Sequence, residues 1–212
     1  MTPAQFSAEL RRAERHLSSA DPVLGRFMKG RRCELERAAR FHPFQALLRS
    51  ITHQQLNGKA AETILGRVKD RFGQASEGGW PTPEVLAAAR LPALRRVGLS
   101  RAKSLAVKDL AAKTLDGTVP PSRALHRMSD EAIVERLTQV RGIGRWTVEM
   151  MLMFWLGRLD VLPVDDFGVR KGYSTLYGHA ELVKPRELAA ATQHWRPYRS
   201  VGSWYLWRVL DG

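Results

Sequence analysis

Apolar residues recur along most of this chain at intervals of three and four, the spacing that gives a helix one apolar face. Phe6, Leu10, Ala13 and Leu17 form such a stripe and predict a helix over Pro3 to Leu17. Asp21-Pro22, a capping carboxylate followed by proline, starts a short helix over Val23 to Met28. Gly30 to Arg40 is basic and polar and reads as a bridge. Phe44, Leu47, Leu48 and Ile51 face inward on a helix opening at Phe41, which ends before the Asn57-Gly58 turn. Ala60, Ile64, Leu65 and Val68 line the next helix, Lys59 to Phe72, and Gly73 to Pro83 is a loop. Short helices follow at Pro83 to Ala89 and Pro92 to Val97. Gly98 closes the second, and Ser100 caps a helix over Arg101 to Leu115. Asp116-Gly117 turns and Pro120-Pro121 connects to two helices, Asp130 to Leu137 and Arg145 to Leu156. Leu159 to Val164 is extended. Asp165-Asp166 starts a helix to Tyr177, Lys184-Pro185 one to Trp195, and Pro197 the last, to Leu210. No segment alternates with the period of a strand, and no internal repeat stands out. The pattern predicts an all-α fold of about ten helices.

One junction departs from this plain packing logic. Between the helices ending at Leu137 and opening at Arg145 lies Val140-Arg141-Gly142-Ile143-Gly144. Two glycines bracket one apolar residue, so the backbone turns tightly while Ile143 tucks into the core. The following helix opens with unpaired N–H groups at its positive end, which suits a phosphate. Arg141 and Arg145 flank that end.

Charge sharpens the picture. Against 21 acidic residues stand 34 basic ones, a net charge of +13, which favours a polyanionic partner. The single cysteine, Cys33, excludes an internal disulfide and a four-cysteine iron–sulfur cluster and fits a reducing cytosol. The longest apolar run, Met150 to Leu156, is far short of a membrane span, and the N-terminal residues lack the apolar core of a signal peptide. No His/Cys cluster suggests a transition metal and no GxSxG elbow suggests a serine hydrolase.

The stretch Leu137-x-x-Val140-x-Gly142-Ile143-Gly144-x-Trp146-Thr147, followed by Leu162-Pro163-Val164-Asp165-Asp166, resembles the helix-hairpin-helix DNA glycosylase superfamily. Within it the chain is most similar to 3-methyladenine DNA glycosylase II in a minimal form, without the N-terminal β-rich domain of larger relatives. The resemblance covers about Phe41 to Trp207. It implies a single domain over 1–212 with two helical lobes, about 1–45 plus 165–212 and about 46–164, and an active-site cleft between them.

The resemblance also implies an activity: a monofunctional glycosylase that flips alkylated purines of the 3-methyladenine and 7-methylguanine type out of double-stranded DNA and hydrolyses the N-glycosidic bond, starting base excision repair. Two alternatives stay open at this point, a glycosylase of the same fold for another damaged base and a non-catalytic hairpin DNA-binding module. The implied setting is a monomer in the cytoplasm, associated with the nucleoid and not with a membrane.

Asp166 is the implied catalytic residue. Negative charge is favoured at a helix N-terminus, and an anion there stabilises the sugar as it gains oxocarbenium character. Asp165 could serve as the helix cap and leave Asp166 to the chemistry. Lyase-competent relatives carry a lysine where this chain has Trp146, so water becomes the nucleophile. Trp146, Trp207, Met150 and Phe44 would form the base pocket, where an aromatic face attracts a cationic alkylated base. Trp80 and Trp155 read as core. Gln55, with Leu56 as alternative, would fill the hole left in the duplex, and His53 would touch the groove. Gly142, Gly144, Arg145, Thr147, Lys171 and Arg199 are candidate phosphate contacts, with Arg170 a further one. No cofactor is expected, beyond a structural Na+ or K+ on the main-chain carbonyls of Thr138, Val140 and Gly142 that the hairpin resemblance implies.

Overall fold

The computed structural model describes residues 2–36, 41–74 and 77–211. In chain order the helices are α1 (Pro3–Ala20), α2 (Pro22–Met28), α3 (Pro43–His53), α4 (Gly58–Phe72), α5 (Pro83–Ala88), α6 (Leu91–Arg96), α7 (Arg101–Leu115), α8 (Ser122–Leu125), α9 (Asp130–Leu137), α10 (Arg145–Phe154), α11 (Phe167–Leu176), α12 (Pro185–Ala191) and α13 (Arg199–Arg208). Single 3-10 turns add Glu77–Gly79 and Gln193–Trp195. Among the described residues there is no strand, so the chain is all-α. The surplus over about ten helices comes from short pieces that carry too few turns to show a period, such as α8. The end of the basic bridge, residues 37–40, and residues 75 and 76 of the predicted Gly73 to Pro83 loop lie outside the described residues. No described helix is long and apolar enough to cross a membrane.

The chain forms two compact units, residues 1–39 with 149–212, and residues 40–148. The first boundary falls near the sequence expectation of 45. The second falls inside α10, some way before 164.

Helix starts follow the predicted chemistry. Asp21 accepts the Val23 and Leu24 N–H groups, Ser100 accepts that of Lys103, and Asn57, which the sequence marked only as a turn, caps α4 through Ala60. In the unit of residues 40–148, α3 packs on α4 and α7, and α7 on α5 and α6. Leu47, Leu48, Ile51, Leu65, Val68, Leu94, Leu110 and Ile133 are sealed in its core. At roughly 1.5–3 kcal/mol for each large aliphatic side chain, that burial is the main force holding this unit together.

In the other unit, α13 lies against both α1 and α11. Phe6, Leu10, Ala13 and Leu17 bury as the stripe predicts, and Trp195 is the largest fully buried side chain. Trp80 and Trp155, expected in the core, are only half-buried, Trp80 with the Lys69 ammonium 4.7 Å over its ring. Tryptophan is too large and too polar at one edge for sequence to rank its burial.

The structure also shows a local echo that the periodicity alone does not reveal. Leu94-x-x-Val97-Gly98-Leu99-Ser100 leads into α7 much as Leu137-x-x-Val140-x-Gly142-Ile143-Gly144 leads into α10. Gly98 and Gly142 both have positive φ, at 104° and 79°, and Leu99 and Ile143 are both buried. One inserted residue, Arg141, hides the match.

Candidate active site

The hairpin in the unit of residues 40–148 is built as its sequence requires. Leu137, Val140 and Ile143 are buried at 0, 1 and 4 % exposure. The Ile143 N–H donates to Val140 O (3.0 Å), and the Arg141 N–H is anchored on Asp109 Oδ2 (2.7 Å). The φ of 79° at Gly142 is one that side-chain-bearing residues rarely adopt. Gly144 differs: a Cβ there would meet no atom within 4 Å. No internal packing demands glycine at that position, which leaves the start of α10 open to close approach from outside.

Arg145 is exposed and lies 3.8 Å from Glu131. Thr147 is only 9 % exposed. Trp146, on the first turn of α10, is 50 % exposed. Met150, one turn further, is half-buried.

The predicted plug is tied to this hairpin. The Gln54 side chain donates through Nε2 to Gly142 O at 2.7 Å. Gln54 also caps the C-terminus of α3, and Asn57 caps α4, so Gln55 and Leu56 form a knuckle held at both ends. Gln55 is exposed with φ 55°, the one positive value among described non-glycine residues, and Leu56 is 41 % exposed. Such a backbone persists only where its surroundings fix it. His53 is engaged at the surface with other partners, with Nδ1 2.8 Å from Arg49 O and Nε2 3.0 Å from Glu62 Oε1. Phe44 is core of this unit at 9 % exposure.

Two of the three carbonyls suggested for a monovalent cation already accept one hydrogen bond each, which leaves each a second lone pair. Val140 O takes the Ile143 N–H and Gly142 O takes the Gln54 amide. No cluster of three metal-ligating side chains occurs among the described residues.

The unit of residues 1–39 and 149–212 holds the predicted carboxylate. Asp166 is itself the N-cap of α11, the task the sequence left to either member of the pair. Its Oδ1 accepts the Val169 N–H (2.8 Å) and the Trp207 Nε1–H (2.9 Å). Asp165 is exposed, one residue before the cap. The cap therefore orients Asp166, which stays half-buried at the surface.

Two glycines one helical turn apart make this geometry possible. A Cβ on Gly172 would lie 2.0 Å from Leu206 O, and one on Gly168 would lie 2.8 Å from Trp207 Cδ1 and 3.1 Å from Asp166 Oδ1. They let α11 sit against α13 closely enough for the Trp207 indole to reach Asp166. Phe154 stacks on Trp207 with centroids 5.9 Å apart and planes at 23°. It is 36 % exposed, and Phe167, next to Asp166, is 67 % exposed.

Sequence reasoning missed Phe154, Phe167 and these glycines. An Asp-Phe-Gly followed four residues later by Gly was the available signal for all but Phe154. Of the basic candidates here, Lys171 is exposed. Arg199 is engaged at Asp160, to Oδ1 at 2.7 Å and to Oδ2 and the main-chain oxygen at 3.0 and 2.9 Å. Burial pushes the Asp160 carboxyl up, but Arg199 and then Arg196 outweigh it and hold it below the usual range. Arg170 donates to Val183 O.

An all-helical chain with a glycine-cornered hairpin and a capping aspartate beyond it defines a class. Residues 48–197 match the HhH-GPD superfamily of base excision DNA repair proteins, and the chain belongs to that family. It is 36 % identical to DNA-3-methyladenine glycosylase 1 of Schizosaccharomyces pombe, over 97 % of this chain and 90 % of that one. Among solved structures it is similar to the S. pombe 3-methyladenine DNA glycosylase in complex with abasic DNA (TM-score 0.76, 36 % identity, 93 % of this chain and 95 % of that). A DNA-3-methyladenine glycosidase from Bacillus halodurans superposes with TM-score 0.81 at 34 % identity, covering 92 % of this chain and 88 % of that.

Proposed function

We propose that this chain is a monofunctional DNA glycosylase that hydrolyses the N-glycosidic bond of alkylated purines, of the 3-methyladenine and 7-methylguanine type, in double-stranded DNA. The observation that carries the reading is Asp166, a half-buried carboxylate fixed by a helix N-terminus and the Trp207 indole among exposed aromatic rings.

An N3- or N7-alkylated purine is a cation and already a good leaving group. As the C1′–N bond breaks, its electrons go to the base, which departs neutral, and positive charge develops on the sugar. Asp166 stabilises that charge. Water then adds at C1′ and gives up a proton to the carboxylate or to solvent, leaving an abasic site.

Trp207 with its Phe154 partner, and Trp146, offer aromatic faces that favour a cationic base over a neutral one. Gln55 and Leu56, held out by their two caps, fill the gap in the stack. Gly142, Gly144 and the first amides of α10 hold a phosphate, helped by Arg145. Trp146 carries no amine, which supports hydrolysis by water in place of a lyase step. The protein acts as a single chain on chromosomal DNA in the cytoplasm.

The test is release of 3-methyladenine and 7-methylguanine from methylated duplex DNA, with borohydride added in parallel. Free bases and no trapped covalent complex are expected. No release would overturn the substrate assignment, and a trapped complex would overturn the hydrolytic one.

A further inference from the structure

We propose that the face formed by α1 and α2 is a second DNA-binding surface, which takes the phosphates of a duplex segment other than the one whose sugar Asp166 serves. The proposal rests on the reading of Asp166 as the catalytic face.

A concavity of about 760 Å3 opens between α1, α2 and the residues that follow. Arg11 and Arg15, one turn apart on α1, meet Arg26 of α2 and then Lys29 and Arg32 around it. All five are exposed, and among the described residues none of them has an ion-pair partner. Arg31, also on the rim, is committed to Phe27, donating to its main-chain oxygen at 2.9 Å with the guanidinium over its ring. One carboxylate lies at the floor, Glu14, and its Oε1 already accepts the Cys33 N–H (2.7 Å) and the Tyr205 hydroxyl (2.8 Å).

Five unneutralised cations around one hollow repel one another, and the arginines at i and i+4 on α1 weaken that helix slightly. A concave wall concentrates their field, which an anion relieves. Four of the five are arginines, whose planar fork matches phosphate oxygens in pairs. The family's ligand is DNA, so phosphodiester is the anion this surface meets.

The surface is separate from the catalytic one. Tyr205 borders the hollow, whereas Trp207 bonds to Asp166. Two residues apart on α13, they point about 200° apart around the helix axis. Both α1 and α11 pack on α13. A stiff duplex held at Asp166 is met from the Trp207 direction of α13, and the hollow lies in the Tyr205 direction.

The experiment measures how many duplexes one chain holds. Sedimentation of the protein with excess labelled duplex at low salt is expected to give two per chain. A bead-bound lesion duplex should capture a second, fluorescent duplex through the protein. The Arg11→Gln/Arg15→Gln/Arg26→Gln/Arg32→Gln variant should hold one duplex and lose capture. Its single-turnover excision at saturating enzyme should stay unchanged, and arginine-to-lysine changes at the same positions should restore capture. Removing the arginines singly should make the salt dependence of capture shallower, by about 0.9 in log–log slope for each phosphate no longer neutralised. Asp166→Asn should keep capture while losing excision, so the two readings fail separately. A wild-type stoichiometry of one, or undiminished capture by the folded glutamine variant, overturns the proposal. Binding to phosphatidylserine vesicles that the substitutions abolish, with no second duplex, overturns it in favour of a membrane.

Discussion

Asp21 and Asp166 stand in the same unit, cap helices through Oδ1, and each accepts an indole N–H, yet their surroundings differ. Asp21 is 4 % exposed. Its Oδ1 takes the Val23 and Leu24 amides, and its Oδ2 takes Trp195 Nε1 at 2.8 Å, the Tyr177 hydroxyl and His194 Nε2 at 3.0 Å. Those donors come from separate places in the chain, so the carboxylate pins the start of α2 to the end of α11 and to the turn before α13. Asp166 bears its cap bond and its indole bond on one oxygen and stays half-buried beside exposed rings. The same local device is a rivet where the second oxygen is enclosed by protein, and is our proposed reagent where the carboxylate stays at the surface.

The largest effect should separate the two cleanly. Asp166→Asn keeps a good N-cap, so the fold and DNA binding should survive. The charge facing the sugar is lost, and excision should fall by about 10^2- to 10^3-fold or more, the scale of one removed electrostatic group. Single-turnover rates on an oligonucleotide with one lesion measure this. Wild-type rates in the variant would remove Asp166 from the chemistry.

Asp21→Asn should do the reverse. The amide can accept fewer of the bonds that Asp21 takes and sets an NH2 against a donor, at a cost of about 3 kcal/mol. For a chain of this size the midpoint of thermal unfolding should drop by roughly 10 °C. Excision at low temperature, where the variant is folded, should stay near wild type. A loss of rate without loss of stability would merge the roles that the geometry separates.

A finer division concerns the two indoles. Trp207→Phe keeps a ring for Phe154 to stack on but deletes the bond to Asp166, and should slow excision about tenfold, the worth of one hydrogen bond to a charged group. Trp195→Phe deletes the matching bond to Asp21. It should lower stability by about 2 kcal/mol and leave the rate alone, because the partner it strips is buried. Equal effects of both changes on rate would show that the Asp21 network reaches the site.

How much of this contrast the sequence carried follows from what sets each feature. The long helices and their caps were legible because spacing and short oxygen-bearing side chains act within a few residues. Asp166 was legible as a candidate through family resemblance, but the choice between Asp165 and Asp166 as cap turns on one peptide's orientation. The burial of Asp21 was invisible, since its enclosure depends on Tyr177, His194 and Trp195, which lie 156, 173 and 174 positions away. The engagement of Arg199 was invisible because Asp160, its partner, lies 39 residues upstream. Phe154 looked like one more apolar residue of α10. Only the close seating of α11 on α13, which Gly168 and Gly172 permit, gives it Trp207 to stack on.

The smallest and slowest-varying effect is the response to acid. Burial alone would raise the Asp21 carboxyl. The bonds from Tyr177, Leu24, Trp195 and His194 together outweigh it, and the folded-state value lies below the ordinary 3.8. A carboxylate whose value is depressed on folding contributes stability that is present in full above the unfolded value and is lost as pH falls through the folded one. Asp160, held down by Arg199 and Arg196, adds in the same sense. Wild-type protein should therefore lose resistance to urea progressively below about pH 4, where unfolded carboxylates begin to take up protons. Asp21→Asn, already weakened at neutral pH, has one fewer proton to gain on unfolding there, so its curve should be flatter and should approach the wild-type curve in acid. Parallel curves down to about pH 2.5, well below the unfolded carboxylate range, would mean that Asp21 holds the fold by shape alone, and the distinction between rivet and reagent would then rest on burial without charge.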